Sequence, residues 1–272
     1  MKSIKYMLCG ALVLLAYLPT FRWMVIRVFE GDSYYGHLFL IPLVSIFIVW
    51  QRRAILQKVK ISSAGIGLAI TIFSLLAHIV SMALKIYFVS GISFVFAIYG
   101  LVLYLFGKEM TRNLTFPIFF LFAMVPLPIV LIGSLVIKLK LAATHMSVWT
   151  LNHIGFPSIQ DGSVIRMPKS YIEVAAPCSG LSSIISLLTL GLLFSYAMKI
   201  SYWKKSILFI SSVPIAMATN VMRITLIAVV NDLYGAKVAM GKFHDATGFA
   251  VFAVAFVMMM GVGKLLDTSH AQ

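Results

Sequence analysis

Eight stretches of this chain are apolar over a length comparable to the ~18 residues that cross a bilayer as a helix, and nothing else constrains its fold as strongly. They cover roughly 5–21, 37–51, 64–84, 86–106, 114–137, 181–198, 206–231 and 246–263. A backbone in hydrocarbon has no water to bond, so such stretches fold as helices. The chain is therefore read as an all-α polytopic membrane protein of about eight spans, forming a single integral membrane domain over 1–272. Its 61% hydrophobic content exceeds that of an ordinary soluble domain. The N-terminus, Met1 to Lys5 ahead of an apolar run, has the form of a signal peptide. It lacks a small-residue cleavage site, which makes it the first span.

Two interruptions shape the middle of the chain. Val125-Pro126-Leu127-Pro128 falls within the fifth stretch, where two missing backbone donors predict a kink or break. After it comes the longest non-spanning region. Its first part, from Lys138 to Phe156, mixes polar and apolar residues around Trp149 and suits an amphipathic helix lying at the interface. Its second part carries Asp161-Gly162 between short β-prone runs, which predicts a small extracytoplasmic hairpin before the sixth span.

The net charge of +14 raises the question of nucleic acid. The basic residues occur in short clusters beside apolar runs, where positive-inside signals belong, so nucleic acid is not expected as a partner. Arg52, Arg53, Lys58 and Lys60, and Lys199, Lys204 and Lys205, fall on one side of the membrane. Taking that side as cytoplasmic puts both termini inside.

With eight spans, three chemically capable residues reach the same outer level. Cys178, one of two cysteines, opens the sixth span. Arg223 lies in the seventh, about seven residues or ~10 Å from its outer end. His244 stands at the mouth of the eighth. Reversing the orientation moves all three together. Singly, each has an ordinary reading. A membrane cysteine is usually small apolar filler, as Cys9 is taken to be. Arg223 near a helix end can snorkel to the surface, and a histidine at a loop mouth is more often solvated than catalytic. Yet an arginine within a span costs roughly 2.5–3.5 kcal/mol to insert and marks function by default. Asn220 shares its helix face at i−3, which favours a polar cavity over lipid. Together the three residues suit thiol chemistry. Cys178 attacks a carbonyl, His244 moves the proton, and Arg223 stabilises the oxyanion. Asn220 lines the substrate-binding side, and backbone N–H groups near Ser179 and Gly180 add donors. His37, His78, His145 and His153 show no ligand spacing, so neither a metal nor a cofactor is expected.

Those motifs, EVAAPCSGLSSI around Cys178, NVMRI around Arg223 and HDATG around His244, resemble the exosortase/archaeosortase family of membrane-embedded cysteine transpeptidases. YYGHLFLIPLVSIFIVWQRR at 34–53, FPIFFLFAMVPLP at 116–128 and GFPSIQDGSVIRMP at 155–168 extend the likeness over most of the chain in order and spacing. One departure is Tyr35-Gly36-His37, where the family often has Ser-His-Gly. The resemblance implies cleavage of C-terminal sorting signals on exported proteins, each a Pro-Glu-Pro-like motif, an apolar helix and a basic tail. It implies Cys178 as nucleophile, Arg223 as electrostatic partner and His244 as acid/base. It also implies a place in the inner membrane, among its lipid, with the active site facing the periplasm and a link to exopolysaccharide production. Two rivals from other classes remain. One is a transporter and the other a polysaccharide-export component, either binding an anionic ligand through Arg223.

Overall fold

The computed structural model describes residues 2–29 and 34–267, in two compact units, Met1–Pro128 and Ile129–Gln272. The first unit holds helices α1 (Lys2–Ala16), α2 (Leu18–Phe29), α3 (Leu40–Gln51), α4 (Arg53–Leu56), α5 (Gly65–Ala83), α6 (Tyr87–Phe106) and α7 (Lys108–Phe120), and then a single 3₁₀ turn, Leu121–Met124. The second holds α8 (Ile129–His153), strands β1 (Ile159–Asp161), β2 (Val164–Arg166) and β3 (Tyr171–Glu173), and a 3₁₀ turn at Ala176–Ser179. It continues with α9 (Leu181–Ala197), α10 (Tyr202–Tyr234), α11 (Ala236–Ala239) and α12 (Lys242–Leu266).

The first unit is built around the α5–α6 hairpin. Gly67, Thr71, Ser74, His78 and Ser81 recur every three to four residues and form the buried stripe of α5. The large apolar residues Ile66, Phe73, Ile79 and Val80 face outward. Small residues inside and large ones outside is the pattern of membrane helices, whose backbones gain contact by close approach. At Gly67 a Cβ would sit 2.3 Å from the Tyr104 backbone nitrogen, so only glycine permits this crossing. Beside the hairpin, α1 and α2 meet at a 54° bend. Pro19 explains it, since its ring and missing N–H break the helical ladder there. The polar groups at the bend are all engaged. His78 Nε2 donates to the Ala16 carbonyl at 3.0 Å, and its Nδ1 meets Ser90 Oγ at 2.7 Å. Ser90 also bonds Thr20 at 2.5 Å, and Tyr17 Oη reaches Ser93 at 3.0 Å.

The proline pair acts at its expected place, with a larger effect than a kink. Helix α7 ends at Phe120, and the chain turns extended at Val125, leaving the Leu127 N–H to donate to Tyr35 Oη at 2.9 Å. The following residues, through Lys138 and Lys140 to His153, form one helix of 25 residues, α8. The expected fifth span over 114–137 and the interfacial helix after it are thus corrected. The span is divided at Val125–Pro128, and its second half and the supposed interfacial segment are one helix, because no breaker intervenes between Ile129 and His153.

Among the described residues, five helices, α5, α6, α8, α10 and α12, are long and apolar enough to cross a membrane, or six if the bent α1–α2 pair is one span. The chain is thus a largely helical, multi-pass membrane protein. α3 and α9 are apolar but have only 12 and 17 residues, about 18 and 26 Å at 1.5 Å per residue, less than the ~30 Å hydrocarbon core.

In the second unit α10, at 33 residues, is the central post. Leu208, Ile215 and Ala216 pack with Leu187 of α9 and Ala255 and Met259 of α12. Further along, Ile224, Ile227 and Ala228 pack under the sheet, against Ile165, Ile172 and Val174 and against Ala143 and Leu151 of α8. The expected hairpin turns at Gly162 (φ +60°), as Asp161-Gly162 requires. A third antiparallel strand joins it, with Val164 opposite Glu173 and Arg166 opposite Tyr171.

Candidate active site

The chain approaches the site from β3. Val174 is buried, and after it the backbone coils into the Ala176–Ser179 turn, with the Cys178 N–H bonded to the Ala175 carbonyl at 2.9 Å. Gly180 then adopts φ +87°, the left-handed region that glycine enters without strain. This reversal starts α9 at Leu181 and leaves Cys178 on a tight corner before the helix. A Cβ on Gly180 would come 3.0 Å from Asn220 Nδ2, so the corner is also packed tightly on α10.

Asn220 holds that corner. It is 2% exposed, and its Nδ2 donates to the Cys178 carbonyl at 2.9 Å. Ser179 is fully buried, and its Oγ accepts from the Leu181 N–H at 3.4 Å. Both side chains therefore bond to the backbone of the cysteine turn. The Cys178 and Leu181 N–H groups are already engaged, by the Ala175 carbonyl and Ser179 Oγ.

Arg223 lies three residues beyond Asn220, on the same face of α10. His244 is within the first turn of α12, since that helix begins at Lys242, earlier than the sequence suggests. The imidazole Nε2 of His244 is the meeting point. Arg223 Nη2 donates to it at 3.1 Å, and Cys178 Sγ lies 3.7 Å from it. A guanidinium can only donate, so this nitrogen presents its lone pair, and the proton of the neutral ring is on Nδ1. Nδ1 faces Asp245 Oδ1 at 3.6 Å, on a carboxylate that is 82% exposed and well hydrated. Arg223 Nη2 also reaches the His244 carbonyl at 3.4 Å, and Thr247 Oγ1 donates to the same oxygen at 2.8 Å. Thr247 was not foreseen as a support, although its i+3 position from His244 is the one at which a hydroxyl reaches back to a helical carbonyl.

Two features mark this cluster as electrically unfinished. Arg223 Nε is buried and has no hydrogen-bond partner. Burial pushes the Cys178 thiol above its ordinary value, and the nearby Arg223 charge pulls it part of the way back. Burial is the larger effect because Cys178 sits one turn before α9, in a cleft lined mostly by apolar side chains. The cleft beside the thiol holds about 60 Å³ and is lined by Ile172, Val174, Ile224, Met240 and His244 with Cys178 itself. Among the described residues no group of three or more His, Cys, Asp or Glu side chains is placed to hold a metal ion.

Elsewhere in the unit, α10 fixes the sheet. Asn231 Nδ2 donates to the Tyr171 carbonyl at 3.2 Å, and Asp232 accepts from Ser170 at 3.0 Å. Asp232 thus anchors the β2–β3 connection. Cys9 and Cys178 are both free thiols.

A multi-pass helical membrane protein with a cysteine, a histidine and an arginine sharing one contact point defines the class. The family model for transmembrane exosortases matches residues 23–261, most of the chain, and the protein belongs to that family. No curated protein and no solved structure was found to match it.

Proposed function

We propose that this protein is an intramembrane cysteine peptidase/transpeptidase that cleaves the C-terminal sorting signals of exported proteins through a thioester on Cys178. Family membership suggests a membrane transpeptidase for sorting signals. The observation that carries the residue assignment is the shared nitrogen, His244 Nε2, which faces the Cys178 thiol and the Arg223 guanidinium together.

Nε2 takes the thiol proton, and the sulfur attacks the scissile carbonyl carbon, forming a C–S bond and an oxyanion. Once Nε2 carries a proton it no longer accepts from Arg223, whose Nη2 is released toward the oxyanion, alongside the unpaired Nε. Collapse of the tetrahedral centre breaks the C–N bond, and the leaving amine takes the proton from Nε2. Water or an acceptor amine then attacks the thioester carbon and gives its proton to Nε2, the C–S bond breaks, and the departing sulfur takes that proton back to restore the resting thiol and neutral imidazole. Asn220, Ser179 and Gly180 set the corner that aims the sulfur. A raised thiol pKa keeps Cys178 protonated at rest, so the nucleophile forms only when the base acts.

The substrates in this reading are exported proteins ending in a Pro-Glu-Pro-like motif, an apolar helix and a basic tail. The setting is the lipid of an inner membrane, with the site facing the periplasm. A transporter reading uses Arg223 as an anion site but assigns no task to the sulfur–imidazole contact.

Co-expression with a tagged sorting-signal substrate tests the activity. Cys178→Ala is expected to leave the substrate full length at equal expression, and normal processing by that variant would overturn the proposal. Orientation is tested with a membrane-impermeant maleimide on intact spheroplasts. Labelling of Cys178 but not Cys9 is expected, and labelling of Cys178 only after lysis would reverse the assignment.

A further inference from the structure

The edge of β3 borders the cleft that contains Cys178, and its pairing can be read from the ladder. The Val174 N–H donates to the Ser163 carbonyl and the Met167 N–H to the Ser170 carbonyl. In an antiparallel pair, bonded and non-bonded positions alternate. Ser170, Ile172 and Val174 therefore direct their backbone groups to β2, and Tyr171 and Glu173 direct theirs off the sheet. Among the described residues no strand pairs with β3 on that second side. The Tyr171 carbonyl is already taken by Asn231. Glu173 retains both an N–H and a carbonyl on the free edge, and Glu173, Val174 and Ala175 line the cleft that continues to Cys178 and His244.

An unpaired edge of this kind is a template for an incoming strand. We infer that the extended peptide segment flanking the scissile bond docks on β3 as a fourth strand, with one substrate residue exchanging both backbone hydrogen bonds with Glu173. The inference rests on the peptidase reading above and adds the mode of substrate binding to it. The edge is short, so it offers one full residue pair. The substrate residues on either side of that pair turn their N–H groups away from β3 and lose nothing if they are prolines, which have none. A Pro-x-Pro segment fits such an edge, with its middle residue supplying the N–H and carbonyl. β3 then runs directly into the turn that presents the sulfur, and the paired segment is led to the reacting atoms.

The test uses the full-length protein in detergent with a synthetic sorting-signal peptide and a scan of single backbone N-methylations. Methylation at one position near the scissile bond is expected to slow cleavage about tenfold, the scale of one lost hydrogen bond in a partly dry site, while its two neighbours change little. A second arm compares two variants. Glu173→Pro removes the edge N–H without touching the β2 ladder and is expected to raise KM about tenfold. Glu173→Ala loses the side chain paired with Lys140 but keeps the edge N–H, so it is expected to raise KM less than Glu173→Pro does, and equal KM values for the two would overturn the docking mode. Alkylation of Cys178 by a small reagent reports that the site is intact in both. A flat methylation scan on a peptide that is cleaved overturns the docking mode and leaves the peptidase reading standing. Failure of the unmodified peptide to be cleaved removes both.

Discussion

Two histidines, one in each unit, show the same side chain put to opposite uses. His78 of α5 is buried at the α1–α2 bend, and each of its ring nitrogens has a partner, the Ala16 carbonyl and the Ser90 hydroxyl. Those partners are in turn satisfied, through Thr20 on Ser90, with Tyr17 on Ser93 beside them. Nothing is left to exchange, and such a network fixes a geometry. His244 of α12 is part-exposed, accepts from an arginine, and lies 3.7 Å from a thiol at a distance that tightens only if the sulfur moves or ionises. Its neighbour Arg223 keeps an unused buried donor. Saturated polar groups hold a fold, and unsaturated ones around a nucleophile do chemistry.

The widest separation of the two comes from replacing each. His244→Ala is expected to reduce sorting-signal cleavage by about 10²–10⁴-fold, the range of a general acid–base group, with little change in thermal stability. His78→Leu is expected to do the reverse. It takes the imidazole donor from the Ala16 carbonyl, at a cost of about 1–3 kcal/mol, and lowers Tm while cleavage per folded molecule is retained. A His78 variant that is stable but inactive, or a His244 variant that unfolds, would erase the contrast drawn here.

A smaller effect probes the electrostatics of the second unit alone. The Cys178 thiol is raised by burial and partly restored by Arg223. Its alkylation rate should be low at neutral pH and climb with pH to a midpoint above that of an ordinary thiol. Arg223→Gln removes the lowering contribution, so the midpoint should move further up and the rate at fixed neutral pH should fall. A midpoint that moves down would show that Arg223 does not act on the sulfur.

The site was more legible in the sequence than the unit that lacks it. Cys178, Arg223 and His244 each stand in a short local motif, and the structure brings the three side chains together at His244 Nε2. Asn220 was visible as a polar neighbour at i−3, but not as the group that bonds the Cys178 carbonyl, because that contact joins residues 42 apart. The polar network of the first unit was hidden for the same reason, with Tyr17 and Ser93 separated by 76 positions. The division of the fifth span was half legible. Pro126 and Pro128 announced a break, but Lys138, Lys140 and His145 disguised the rest of α8 as an interfacial segment. Lys140 is in fact accommodated by Glu173 at 3.4 Å, a partner that only the sheet brings near. The hairpin followed from Asp161-Gly162, whereas β3, three residues long, carried no signal of its own.

The central claim is a covalent one, and mass spectrometry of the protein mixed with a sorting-signal peptide and quenched in acid tests it directly. A substrate fragment attached to the Cys178 sulfur, lost on treatment with hydroxylamine and absent from Cys178→Ala, is the expected result. Cleaved peptide released by Cys178→Ala at the parent rate, or an adduct on any other residue, would contradict it.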